Sequence, residues 1–257
     1  MATLRLGIVT CQPELAQEAA RRAKEMAHQP LPVAVVFNGC TPTDGFDYAT
    51  ALPENVGQVQ GLHTLWSMWE APHDPGDILA LIHDDVHLLQ KGWDDAIRAV
   101  MADPNVLLTG FGGATGLSLK PNHLHRQDFV SNLVDAEIHG RRIDVPARVA
   151  VLDSFAMIAR LTFLDDLGGF EWWPFPYHCI DYALSLEVMR RGAQTWVVPV
   201  RCAHLSGRTA NSGAYAALAA RYGGTDAVLR NGLRKLYDDY HDVLPGKRSI
   251  IDYIYGR

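Results

Sequence analysis

The first 110 residues alternate short, unbroken apolar runs with segments whose apolar positions recur every three or four residues. Leu4–Thr10 (LRLGIVT), Val33–Phe37 (VAVVF), Ile78–Ile82 (ILALI) and Val106–Thr109 are too short for buried helices and rich in branched side chains. They predict strands covered on both faces. Pro13 and Glu14 open a predicted helix that runs to about Met26, because proline is tolerated in a first turn and a carboxylate there faces the helix's positive end. Gly57–Glu70 and Gly92–Ala102 predict two further helices. Strands alternating with helices specify an α/β fold with a doubly wound, mostly parallel sheet of the Rossmann-like kind. Ligands of such sheets sit at the carboxyl ends of the strands, where Thr10, Asn38 and Asp84-Asp85 fall.

The rhythm breaks at Gly112–Arg148, a polar segment rich in Gly, His and Arg, which reads as an insertion over the active face of the sheet. It resumes with a strand over Ala150–Arg160 and a short helix over Leu161–Leu167 closed by Gly168-Gly169. A helix over Asp181–Arg191 capped by Gly192 follows, then a strand over Thr195–Pro199. From Ser212 onward the pattern is helical and amphipathic. The chain is expected to divide into one α/β domain over residues 1–211, with 112–148 inserted in it, and a helical appendage over 212–257.

Composition narrows the classes. With 48% hydrophobic and 20% charged residues, the 257-residue chain can bury a full core and is not compositionally disordered. A formal charge of −6 argues against a general binder of phosphate backbones, whose surface is basic. Arg126, Arg141, Arg142 and Arg148 still allow a local basic groove. Cys11, Cys40, Cys179 and Cys202 form no C-x-x-C pair, which excludes a zinc knuckle or redox dithiol, and they read as reduced thiols of a cytoplasmic protein. No apolar run approaches the roughly 20 residues of a membrane span.

The strongest chemical signal is Ile78–Val86, ILALIHDDV. Two adjacent carboxylates at the end of a buried strand repel each other unless a cation or hydrogen-bond donors offset the charge. Asp84 and Asp85 therefore read either as a divalent metal site that grips a nucleotide diphosphate or as a solvated turn. Further signals follow in order along the chain. They are Asn38-Gly39-Cys40-Thr41, Asn55-Val56-Gly57, Gly168-Gly169-Phe170, Trp172-Trp173, Asp181 opening a helix that ends at Gly192, and His204 after a strand.

This ordered set resembles family 2 glycosyltransferases with the GT-A fold, over about residues 4–207. The resemblance implies that Asp85 binds Mn²⁺ or Mg²⁺ with His204 completing the metal site, and that Asp84 contacts the ribose or the metal. His83 stands where the family often has Asp. Asp181 matches the second residue of the family's Glu-Asp signature, with Ile180 in place of the Glu, and is implied as the base for the acceptor hydroxyl. Thr10, Cys11, Asn38 and Asn55 fall where the family surrounds the nucleoside, and Trp172, Trp173 and Tyr177 in a loop that would wall an acceptor site. The same aromatic residues also suit a loop anchored in the core.

The function so implied is metal-dependent, inverting transfer of a sugar from a nucleoside-diphosphate sugar, a UDP-sugar by the family's habit, to an acceptor hydroxyl. The acceptor classes left open are saccharide, lipid carrier, protein and hydroxylated nucleobase, including modified DNA. Two alternatives stand beside it. One is a non-catalytic protein that binds sugar nucleotides or glycans on the same fold. The other is a nucleotidyltransferase, which needs a Gly-rich loop with a basic residue after the first strand, whereas Thr10-Cys11-Gln12-Pro13 has neither.

Overall fold

Eight strands form the central sheet of the computed structural model, which describes residues 3–69, 73–120, 123–134, 140–205, 213, 215–240 and 242–243. The chain begins with β1 (Leu4–Thr10), α1 (Pro13–Met26), β2 (Val33–Asn38), β3 (Tyr48–Leu52) and α2 (Gln58–Ser67). It continues with β4 (Ile78–His83), β5 (Val86–Leu88), α3 (Trp93–Val100), β6 (Val106–Gly110), β7 (Gly112–Lys120) and β8 (His123–Ser131). There follow β9 (Ala147–Val149), β10 (Val151–Leu152), β11 (Ala156–Arg160), α4 (Leu161–Leu167) and α5 (Ile180–Arg190). The last described elements are β12 (Gln194–Val197), β13 (Cys202–His204), α6 (Ala216–Ala220) and α7 (Thr225–Tyr240).

The large sheet has the order β3-β2-β1-β4-β11-β6-β12-β9. Strands β1 to β4 are mutually parallel, as are β6 and β12. The expected α/β class and mostly parallel sheet are found. Strand β11 departs from the parallel set, running antiparallel between β4 and β6, and β9 runs antiparallel to β12 at the edge. A parallel neighbour needs a crossover connection, and the chain enters β11 straight from a tight turn.

That turn corrects the expectation of one strand over Ala150–Arg160. Val151–Leu152 pairs with β7 in a separate three-stranded sheet, and the chain turns at Asp153-Ser154 before β11 starts. The Asp153 N–H donates to the Gly112 carbonyl (2.9 Å), which fixes the break. The segment expected as an irregular excursion, Gly112–Arg148, holds instead the hairpin of β7 and β8 and the edge strand β9. Its glycines hid the strand. A Cβ at Gly113 would stand 2.6 Å from the Val151 carbonyl oxygen, so only glycine lets β7 approach β10 this closely.

Alternate side chains of the buried strands enter two cores. In β2, Ala34 and Val36 face the layer of α2, α4, α5 and α7, whereas Val33, Val35 and Phe37 face α1 and α3. Helix α2 lies unusually close to β1, because Gly7 and Gly61 meet it from both sides. A Cβ at Gly61 would come within 2.5 Å of Val9 Cγ1, and one at Gly7 within 2.3 Å of Leu65 Cδ2. The C-terminal α7 packs its Leu236 and Tyr240 into the same core as α5. Among the described residues no helix is long and apolar enough to cross a membrane.

Arg160, buried at the end of β11, donates to the carbonyls of Pro75, Met101, Asp103 and Val106, tying four loop positions at the amino end of β4 and β6 together. Burial holds its guanidinium below the usual arginine range, yet each of its three nitrogens donates to a carbonyl. Arg160→Met keeps the apolar stem and orphans these carbonyls. It is expected to lower unfolding free energy by about 3 kcal/mol or more in a urea titration, since each bond to a charged donor contributes about 1.5–3 kcal/mol.

Candidate active site

Strand β4 ends in His83, and the turn Asp84-Asp85 leads into β5. The parallel register of β1 on β4, with Val9 opposite His83, brings Thr10 beside Asp84. The Thr10 hydroxyl donates to Asp84 Oδ2 (2.6 Å) and accepts from the Gln12 N–H (2.8 Å). Strand β13 then pairs antiparallel with β5, setting His204 opposite Val86, and the Leu205 N–H donates to the Asp85 carbonyl (3.1 Å). This pairing carries His204 Nε2 to 3.3 Å from Asp85 Oδ1. The His204 ring stacks on Phe155 (centroids 5.1 Å apart) and meets His83 edge-on (5.5 Å).

Asp181 lies in the first turn of α5, buried. The two residues before the helix, His178 and Cys179, both adopt left-handed backbone, with φ of 66° and 63°. Such a conformation in a side-chain-bearing residue costs about 1–3 kcal/mol and persists where the surroundings impose it. Here the Trp173 indole N–H donates to the His178 carbonyl (3.1 Å), and the Ser185 hydroxyl bridges the Asp181 carbonyl to the Leu152 N–H. Strain and anchors together fix where Asp181 enters.

These elements enclose a cavity of about 510 Å³, within the range of small-ligand sites. Thr10, Cys11, Asp84, Asp85, Asp181, His204 and Tyr177 all line it. So do residues the sequence did not single out, namely Gln58, Asp153, Ser154, His178 and Tyr215. Tyr215 has no motif around it; it arrives because the C-terminal segment folds back and sets its ring 5.0 Å from that of Tyr177.

Four expected contacts lie elsewhere. The Asn38 amide donates to Asn55 Oδ1 and the Gly57 carbonyl (3.1 Å each) and accepts from the Val56 N–H (2.9 Å), while Asn55 Oδ1 also accepts from the Gly57 N–H. Both side chains are committed to holding the connection between β3 and α2, and neither lines the cavity. Trp173 is buried in the core, and the Trp172 indole donates to the Gly169 carbonyl; neither lines the cavity. These rings are loop anchors in this structure. None of the described residues of 112–148 lines the cavity either; β7 and β8 belong to the three-stranded sheet and β9 to the edge of the large one. Arg141, Arg142 and Arg148 are exposed, and the Arg126 side chain lies outside the described residues.

The carboxylates are differentiated by their surroundings. Burial pushes Asp84 up to about 6, the Thr10 hydroxyl holding it back in part and the Asp85 charge adding to the rise. Burial acts on Asp85 in the same direction, but the His204 hydrogen bond and the nearby imidazoles outweigh it and leave Asp85 below the usual carboxylate range. Burial, and then His204, press His83 down to about 4, so its ring is neutral and keeps a lone pair at neutral pH.

His83, Asp85 and His204 can each direct one donor atom to a common point, with these atoms all within 4.8 Å of one another. Donors about 2.1 Å from one ion stand up to about 4.2 Å apart, so side-chain adjustments of tenths of an ångström suffice to close on a cation. Two imidazoles and one carboxylate make a competent donor set, and the residues fit a divalent metal.

A search of solved structures finds a mannosyltransferase from Pyrobaculum calidifontis, described in complex with GDP-Man and Mn²⁺, at a TM-score of 0.52 and 15% identity, covering 90% of this chain and 64% of that one. It also finds GalNAc-T7, described with UDP, GalNAc and Mn²⁺, at a TM-score of 0.59 and 13% identity, covering 99% and 57%. The fold is that of the GT-A glycosyltransferases. In sequence, a curated protein of Fuscovulum blasticum described as "ATP synthase subunits region ORF 6" is 28% identical over 177 residues, covering 65% of each chain. No protein-family model matches. The chain spans somewhat under two thirds of the length of these proteins. On the GT-A frame found here, the cavity occupies the carboxyl ends of β1 and β4, where a parallel sheet places its ligands.

Asn38→Ala removes three side-chain hydrogen bonds and strands the Val56 N–H, so it is expected to lower stability by about 2–3 kcal/mol in chemical denaturation. A side chain that served only a ligand would leave the denaturation midpoint unchanged.

Proposed function

We propose that the chain is a metal-dependent glycosyltransferase that moves a sugar from a nucleoside-diphosphate sugar to an acceptor hydroxyl with inversion. The observation that carries this reading is the convergence, in one cavity, of the Asp85–His204 pair with Asp84 and Asp181. Both described neighbours were solved with nucleotides or nucleotide sugars and Mn²⁺, which supports the same reading.

The roles follow from chemistry. A divalent ion held by Asp85 and His204, with His83 beside them, would neutralise the diphosphate and the charge that develops as it leaves. Asp84, ordered by Thr10, is the partner of the nucleoside ribose, and Cys11 flanks it. Asp181 takes the proton of the acceptor hydroxyl as that oxygen attacks the anomeric carbon, opposite the leaving phosphate. A single displacement of this kind inverts the centre. Tyr177, next to Asp181's helix, borders the acceptor side. The acidic chain and its exposed arginines do not choose among saccharide, lipid, protein and modified-nucleobase acceptors. In this reading residues 1–211 form the transfer domain, and the C-terminal helices close its wall.

Asp85→Ala is expected to weaken Mn²⁺-dependent binding of UDP or GDP by more than about 100-fold in calorimetry, since even outer-shell partners of a metal contribute about 10–100-fold. Equal affinity in the variant overturns the metal role. Asp181→Asn keeps size and hydrogen-bonding capacity while removing the base. Transfer from labelled donor, or donor hydrolysis, is expected to fall by about 10²–10⁴-fold with donor affinity intact. Full activity in this variant removes Asp181 from the chemistry, and wild-type binding of nucleotide sugar without any turnover favours a non-catalytic binding protein.

A further inference from the structure

The carboxylate pair of the HDD turn does not act as a pair. Asp84 is tied to Thr10 at 2.6 Å and stands outside the set of converging donors, which consists of Asp85 and two histidines. His83 occupies its place for reasons of fold. Its N–H donates to the Phe155 carbonyl (3.0 Å), which fixes the end of β4 against the turn before β11. Its Nε2 lies 3.0 Å from the Gln58 side-chain amide, at the start of α2. The amide nitrogen faces the ring there; turned by 180° so that its oxygen faces Nε2, the Gln58 amide accepts the Nε2 proton and leaves the other ring nitrogen's lone pair to a cation, as a carbonyl or carboxylate does behind metal-bound histidines. Across the gap stand His204, whose ring centroid is 5.5 Å away, and the Asp85 carboxylate.

We propose that His83 is a third protein ligand of the cation, and that the resulting set of two imidazoles and one carboxylate selects a first-row transition ion such as Mn²⁺ over Mg²⁺. Mg²⁺ is hard, prefers oxygen donors and sheds water reluctantly, whereas imidazole suits the softer first-row ions. A carboxylate at position 83 would keep the site open to both. The histidine therefore narrows the choice of ion rather than merely marking a lost aspartate. The inference rests on the cation site of the proposed transferase and not on its transfer step.

The test uses the full chain and the metal alone. Titrating Mn²⁺ and following the free ion by electron paramagnetic resonance is expected to show one ion bound per chain, with Mg²⁺ in large excess failing to displace it. Pulsed measurements on bound Mn²⁺ are expected to resolve couplings from two imidazole nitrogens. In His83→Asp one coupling disappears and Mg²⁺ competes. In His83→Ala affinity for Mn²⁺ falls at least about 10-fold. A single imidazole coupling in the wild type, or Mg²⁺ displacing Mn²⁺ as readily from wild type as from His83→Asp, overturns the proposal without requiring any variant to be active. Selective Mn²⁺ binding by a protein that binds neither UDP nor GDP would support this ligand assignment and overturn the transferase reading.

Discussion

Two buried carboxylates on consecutive residues at the end of a central strand repel each other, and the surrounding structure is arranged to hold them. Asp84 and Asp85 are each about 95% buried. The Thr10 hydroxyl from β1 offsets one, and His204 from β13 offsets the other. Each of these donors depends on a strand pairing: β1 on β4 in parallel register, and β13 on β5 in antiparallel register. Remove either pairing and a buried charge loses its partner, which is the kind of loss that destabilises a protein most.

The same constraint separates the roles of the two aspartates. Burial raises Asp84 to about 6, and its Oδ2 is taken up as the acceptor of the Thr10 hydroxyl. The imidazoles beside Asp85 keep that carboxylate charged. The donors that converge are therefore one carboxylate and two imidazoles, with Asp84 outside the set. Asp181, which lines the same cavity, is fixed by a different device, a strained entry into α5 secured by Trp173 and Ser185. Thr10 and His204 hang from strand ends, Asp84 and Asp85 from the two-residue turn between β4 and β5, and Asp181 from a first helical turn, so each is positioned by a hydrogen-bonded element.

The C-terminal helices change the meaning of the aromatic loop. Trp173 lies against α7, where a Cβ on Gly232 would stand 3.7 Å from its ring, and so the indole supports His178 from behind instead of facing a ligand. The tyrosines that line the cavity are Tyr177 and Tyr182, around the start of α5, and Tyr215, about forty residues after Tyr177. The rings of Tyr177 and Tyr215, from distant segments, meet at 5.0 Å.

Much of the frame was readable from local pattern. Short, mostly apolar runs placed β1, β2, β4 and β6 to within a residue at each end, because strands buried on both faces carry few polar residues, Arg5 of β1 being accommodated by its ion pair with Asp77. Adjacent aspartates at a strand end marked the site, because their repulsion demands a partner whatever the fold. Tertiary structure alone decided the rest. Strand β3 is a largely exposed edge, and β5 and β13 are three residues long, so none carries a local hydrophobic signal. Asn38, Asn55, Trp172 and Trp173 have side chains equally suited to a ligand or to a neighbouring carbonyl, and packing gave them carbonyls and each other. His83 is the clearest case. In sequence it is a missing aspartate, and only the pairing of β13 with β5, joining residues more than a hundred positions apart, brings a second imidazole close enough to make it a candidate ligand.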